Sequence, residues 1–292
     1  MVSLMNSGGG MAGGIELALG ALLFYGLADW VYKRAAGDNV QAHHFLALKA
    51  FFFAPGILLY GLTTDTLALG APFAWGMSAG VLMFVALYNF ARSLASGAVS
   101  IVAPVFRLSF AITAALAVWL LDERLTGWKL AGLAASLAAV WLLLGGRPAS
   151  AARATKSSVL HVLVATVAMG IVSFVYKLGT TAGGSPATVL TGQASVFFPL
   201  ATLFALVRDR GFHPPPGAWR HGAVAAVLLL FGLVMLLAGL ARGEASVLVP
   251  VAQMSFVVTS GLGFVFLREA LTLRKGCGLA FAIAALACLA RS

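Results

Sequence analysis

The feature that most narrows the folds open to this chain is a gapless internal repeat. Shifted by 146 residues, positions 97–143 fall on 243–289, and 19 of the 47 are identical. Apolar matches arise easily in an apolar sequence. The pairs Pro104/Pro250, Ser109/Ser255, Thr113/Thr259, Glu123/Glu269, Lys129/Lys275 and Gly132/Gly278 do not. Earlier in the chain, Val31-Tyr32-Lys33 matches Val175-Tyr176-Lys177 at a shift of 144. A unit of about half the chain has been duplicated.

The solvent of that unit follows from its composition. The 292 residues are 61% hydrophobic and 10% charged, with a mean hydropathy of +0.99. So few charges cannot clothe a water-soluble surface, so lipid surrounds most of the chain. A spanning helix takes about 20 apolar residues. Charge, Gly and Pro clusters divide the sequence into ten such runs, at 14–34, 42–62, 72–94, 98–121, 127–145, 158–178, 186–207, 218–241, 245–267 and 273–290. Five runs fall in each copy. Because five is odd, the second copy enters the bilayer from the opposite side. The expectation is an all-α polytopic membrane protein, ten transmembrane helices arranged as two inverted five-helix repeats. Residues 1–146 would form the N-terminal repeat, 147–157 (RPASAARATKS) a linker, and 158–292 the C-terminal repeat.

The net charge of +10 does not indicate nucleic acid. Its cations flank apolar runs, as in Lys33-Arg34, Arg208/Arg210 and Arg274-Lys275, where they reach lipid phosphates. Cys277 and Cys288 share the last run, about 16 Å apart along a helix, too far for a mutual disulfide. No Lys or Arg precedes the first apolar run, so that run reads as a retained span and not a cleaved leader.

Both copies carry a recurrent pattern of Ala-Ser, a Pro, an apolar run ending in Glu, Leu-Thr, a spacer and a Gly. The residues are Ala95-Ser96, Pro104, Glu123, Leu125-Thr126 and Gly132, then Ala245-Ser246, Pro250, Glu269, Leu271-Thr272 and Gly278. This pattern resembles the EamA repeat of the drug/metabolite transporter superfamily. The resemblance implies ten helices and export of amino acids (aromatic or other neutral) or similar small metabolites. Within the superfamily the chain looks most like the YddG-type amino-acid exporters. It implies a multi-pass protein of the inner (plasma) membrane with cytoplasmic termini, expected to work as a monomer.

Polar groups inside apolar runs are costly, so each is a candidate site residue. Arg107 lies at mid-depth, three residues after Pro104, and its repeat mate Gln253 stands three after Pro250. Each Pro frees a backbone carbonyl and bends its helix, so both side chains can line one cavity. The other reading makes Arg107 a clamp on carbonyls between the repeats. Lys49, ahead of Pro55, either lines the cavity or snorkels to the interface. Met83, Tyr88 and Asn89 suggest an aromatic wall with polar handles, and Gln193 and Ser195 are further candidate contacts. Pro104, Pro250 and Pro55 are the candidate kinks. Glu123 and Glu269 end their helices and read as turn or capping residues.

His43, His44, His161, His213 and His221 stand near helix ends or loops and read as interfacial. No CxxC, HExxH or Asp-rich motif suggests a metal, and no cofactor is implied. Asp29 falls near the end of the first run without an acidic partner, so nothing suggests a proton relay. A secondary transporter leads. A sugar-nucleotide or phosphate exchanger of the same fold would want more cavity cations than Arg107 and Lys49. An intramembrane enzyme would want a Ser with a His at depth, which Ser260 lacks within the last two runs. Loop charge opposes the family's orientation. Five cations, among them Arg124 and Lys177, lie on the side of the termini, and twelve, among them Arg147, Arg153, Lys156 and Arg268, lie opposite.

Overall fold

A computed structural model describes residues 10–96, 99–144, 156–266 and 272–292. The first half holds α1 (Met11–Gly37), α2 (Ala42–Thr63), α3 (Ala71–Ser96), α4 (Val99–Arg107), α5 (Ser109–Leu120) and α6 (Gly127–Leu144). The second holds α7 (Lys156–Thr181), α8 (Pro186–Asp209), α9 (Pro216–Leu240), α10 (Ala245–Gln253), α11 (Phe256–Phe266) and α12 (Leu273–Leu289). No strand occurs among the described residues. Nine spans among them are long and apolar enough to cross a bilayer, with α4–α5 and α10–α11 each supplying one. The tenth element is α12, with 17 residues, about 26 Å of helix. Its outward residues, such as Phe281 and Ile283, are exposed, like Trp119, Trp141 and Leu203 elsewhere. Together they form the apolar exterior that lipid would cover.

Three expected boundaries change. The first helix is longer at both ends than 14–34, which leaves Asp29 inside it, about 12 Å from its C-terminal end. The helices expected at 98–121 and 245–267 are each broken, and in the same register. Leu108 N–H bonds the Val105 carbonyl at 3.0 Å, and Met254 N–H bonds its counterpart, Val251, at 3.1 Å. These tight i→i−3 steps end α4 and α10 just after their prolines. Pro55, by contrast, sits inside an unbroken α2. Most of the expected linker lies outside the described residues, as do Glu269 and Leu271, and α7 already begins at Lys156.

Side-chain contacts fix helix directions. His43 of α2 meets Asp209 of α8 while Phe51 meets Phe198, so α2 and α8 run antiparallel. Gly132 of α6 packs on Leu289, and Gly278 of α12 on Leu143, again antiparallel. Equivalent helices thus point in opposite directions. The interface of α3 with α7 recurs as that of α9 with α1, and α3 with α8 recurs as α9 with α2.

Small residues make these crossings possible. A Cβ on Gly76 would stand 2.1 Å from the Val189 carbonyl oxygen, and one on Gly192 would stand 2.3 Å from that of Phe73. Without a hydrophobic force between helices in lipid, such close backbone contact is the main source of association.

Candidate functional site

The two halves enclose a cavity of about 490 Å³. Its wall is built from repeat mates, at a shift of 144 in the first two helices of each half and 146 beyond. They pair as Asp29 with Ser173, Tyr32 with Tyr176, Lys49 with Gln193, Phe53 with Phe197, Met83 with Leu229 and Arg107 with Gln253. Among the described residues, all the charges in the lining come from the first half: Asp29, Lys49 and Arg107. Their mates in the second half are neutral.

Arg107 is the last residue of α4, at the break, which turns its guanidinium into the cavity. Its Nη2 donates to Asp29 Oδ2 at 2.5 Å, and its Nη1 donates to Gln253 Oε1 and to Ser255 Oγ, both at 3.2 Å. Ser255 Oγ donates in turn to the same Asp29 oxygen at 2.9 Å. One polar knot therefore ties α1 and α4 to the break between α10 and α11. The side chains of Arg107 and Asp29 keep 21% and 33% exposure, so the pair is partly wet. Arg107 lines the cavity and joins the halves, but through side chains and not through the backbone carbonyls of the clamp reading. Its charge is already matched by Asp29.

Asp29 is the residue that sequence reasoning missed. From the sequence it stands near a helix end without an acidic partner and gains no role. The available signals were a carboxylate within an apolar run and a polar repeat mate, Ser173.

Lys49 lines the cavity and does not snorkel out. Its Nζ lies 3.5 Å from Tyr32 Oη, and over the rings of Tyr32 and Phe197 at 5.6 and 5.9 Å from their centroids. No carboxylate pairs with it among the described residues. The mate of this contact is uncharged: Tyr176 donates its hydroxyl hydrogen to Gln193 Oε1. Tyr176 and Gln193 are both buried at the cavity wall.

Met83 also lines the cavity. Tyr88, Asn89 and Ser195 do not. Tyr88 stacks on Phe84 and meets Phe204 edge-on beside a smaller pocket of about 140 Å³ that Gln41, His43 and Arg208 also line. Asn89 faces α7, where its Oδ1 lies 2.8 Å from His161 Nδ1. Ser195 Oγ donates to the Gly192 carbonyl one turn back in its own helix. The interfacial reading of His43 and His44 is also corrected, since both are buried. The last turn of α8 and Phe212 cover them.

The cavity reaches toward the end of the molecule where α1 gives way to α2, as Ala35, Val40, Ala42 and Ala91 in its lining show. The other end, on the side of the termini, is sealed. Lys177 Nζ donates to the carbonyls of Leu240 and Gly243 at 2.7 and 2.8 Å. Lys129, buried, pairs with Glu244. Glu123, expected to cap its own helix end, instead accepts the Ala245 and Ser246 N–H groups at the start of α10, at 2.8 and 2.9 Å.

A search of the curated proteins returns no match. A solved structure described only as "Crystal structure of protein" superposes with a TM-score of 0.81 at 17% identity, covering 94% of this chain and 95% of that one. At that identity the likeness shows the fold. The model of the EamA-like transporter family matches twice, at residues 12–145 and 156–291. Two family repeats, packed around a shared cavity and spread over nearly the whole length, make the chain a member of the EamA-like transporter family, membrane transporters of small molecules.

Proposed function

We propose that this protein is a secondary transporter of small amphipathic metabolites bearing a carboxylate, and that amino acids with aromatic or other neutral side chains fit it best. The observation that carries the reading is Lys49, a cation on the cavity wall whose nearest polar neighbour is the Tyr32 hydroxyl, at 3.5 Å. It offers a substrate carboxylate a charge-assisted hydrogen bond. Tyr32 stands one helical turn after Asp29, whose carboxylate is paired with Arg107 but keeps 33% exposure, within reach of a substrate ammonium. Phe53, Phe197, Met83 and Leu229 supply an apolar wall for a side chain. Gln193 and Gln253 add neutral polar contacts.

The inverted halves supply the mechanism. Exchange of their conformations would close the mouth by the α1–α2 turn and open the end sealed by Lys177, Glu123 and Lys129, so that one site faces each side in turn. With cytoplasmic termini, as the family resemblance implies, the open mouth faces outward, and the role proposed is export across an inner membrane. The YddG-type exporters are the branch that this substrate class matches. A sugar-nucleotide or phosphate exchanger ranks second, because Arg107 is already paired with Asp29 and Lys49 alone is left for a phosphate. An enzyme ranks last. Among the described residues, the one hydroxyl nucleophile of aliphatic type in the lining, Ser173, contacts the Met169 carbonyl, and no His lines the cavity.

The test is uptake into liposomes holding the purified chain, with a panel of radiolabelled amino acids and no ATP. Saturable counterflow of one or more neutral amino acids is expected. Activity restricted to phosphate or nucleotide-sugar exchange, or dependent on ATP, would overturn the proposal.

A further inference from the structure

Outside the cavity lining, one buried cluster has no role in the function proposed above. We infer that His43, His44 and Asp209 form a site for one divalent transition-metal ion of the zinc class, joining the two halves at the cavity mouth. His43 Nε2 lies 3.0 and 2.8 Å from the two Asp209 oxygens, and His44 Nε2 lies 2.5 Å from Oδ2. One ligand atom from each residue falls within 4.8 Å of the others. A tetrahedral ion with bonds of about 2.0–2.1 Å needs ligand separations of about 3.3 Å, which small side-chain rotations would reach.

The burial favours a ligand over a hydrogen-bonded pair. His43 and His44 are 4% and 5% exposed. His44 Nε2 faces the Asp209 carboxylate, and its Nδ1 has no hydrogen-bond partner. Two buried imidazoles converging on one carboxylate oxygen call for an explanation, and a shared metal ion supplies one. Two imidazoles and a carboxylate select zinc-like ions over Mg²⁺ or Ca²⁺, which prefer all-oxygen shells. Asp209 is 21% exposed, so water can take the fourth position. Phe204 meets the His43 ring edge-on and Phe212 meets His44 likewise, so aromatic rings wall the site. Asp209 is the last residue of α8, where the helix dipole favours a cation. Arg208 beside it opposes one.

The repeat sharpens the point. The equivalents of His43, His44 and Asp209 are Ala187, Thr188 and Asp65. There the junction is closed by hydroxyls, with Thr188 Oγ1 donating to the Thr66 carbonyl at 2.8 Å. The imidazole pair belongs to the mouth alone.

The test uses tag-free, chelator-washed protein in detergent, and reads binding without reference to transport. Equilibrium dialysis against Zn²⁺ should give about one ion per chain. Co²⁺ should give the intense visible bands of a four-coordinate site, in the unmodified chain. Affinity should fall at least 10-fold in His44→Ala and in Asp209→Asn, as loss of a ligand demands. It should hold in His221→Ala, whose imidazole pairs with Asp38 elsewhere. Absence of a stoichiometric ion, Co²⁺ spectra of a hexa-aquo type, or retention equal to wild type in both folded variants would overturn the site. Should either variant fail to fold, the spectrum of the unmodified chain decides.

Discussion

Where α11 crosses α1, Thr259 donates to the Gly26 carbonyl at 3.0 Å; where α5 crosses α7, Thr113 donates to that of Gly170 at 2.9 Å. Added Cβ atoms at Gly26 and Gly170 would stand 2.8 and 2.9 Å from the carbonyl oxygens of Ser255 and Ser109, which are themselves repeat mates. The packing frame has stayed the same in both halves. The cavity wall has not. Asp29, Lys49 and Arg107 of the first half face Ser173, Gln193 and Gln253 of the second. Frame and site answer to different physics. Each crossing must bring two backbones together, so each needs its own glycine and hydroxyl. The cavity holds a single set of charges. A second Arg at position 253 would set two cations at the 3.2 Å distance where Gln253 now accepts from Arg107.

The widest gap between the halves should appear at the Arg107–Gln253 pair. Arg107→Ala leaves Asp29 uncompensated in a low-dielectric wall and should cost about 2–3 kcal/mol, below the 3–5 typical of a fully buried pair because both side chains are partly wet. Gln253→Ala should cost about 1 kcal/mol. Asp29→Asn with Arg107→Gln should regain most of the loss, while transport stays impaired. Melting temperatures beside transport rates read both. Equal costs for the two single variants would erase the asymmetry.

Next comes Lys49. Lys49→Gln gives the first half the residue of the second, and should slow transport about 10- to 100-fold through loss of one charge-assisted hydrogen bond. Gln193→Ala should slow it less. Uptake by Lys49→Gln at the wild-type rate would move the carboxylate site elsewhere. The smallest effects should fall on the shared frame. Thr113→Val and Thr259→Val should each cost about 1 kcal/mol, and by the same amount within error. A marked difference in denaturation midpoints would show that the frame, too, has diverged.

The duplication, the spans and the meeting of Arg107 with Gln253 were legible in the sequence, because repeat mates on an odd-numbered helix set face a common axis. The prolines gave the position of both helix breaks but not their sharpness. What could not be read was which way apolar helices turn their polar residues. α1 and α2 are apolar on every side, so they carry no stripe to mark a buried face. Asp29, Tyr32 and Lys49 converge only because α1 and α2 pack against the second half. Tyr88 and Asn89 sit on α3 near the cavity, yet the helix phase turns them to Phe204 and His161. His43 and His44 looked interfacial from their place at a helix start, and only the fold brings Asp209 and Phe212 over them.

The central claim is that Lys49, beside the Asp29–Arg107 pair, and not the cavity alone, binds substrate. Its most direct test is the triple variant Asp29→Ser, Lys49→Gln, Arg107→Gln, which gives the first half the residues of its mate. Counterflow of a neutral amino acid carried by the wild-type protein should be measured in liposomes, with melting temperature followed in parallel. The account predicts a folded protein, within a few degrees of wild type, roughly what about 1 kcal/mol would shift in a chain this long or longer, with counterflow lost. Counterflow at the wild-type rate in that folded variant would contradict it.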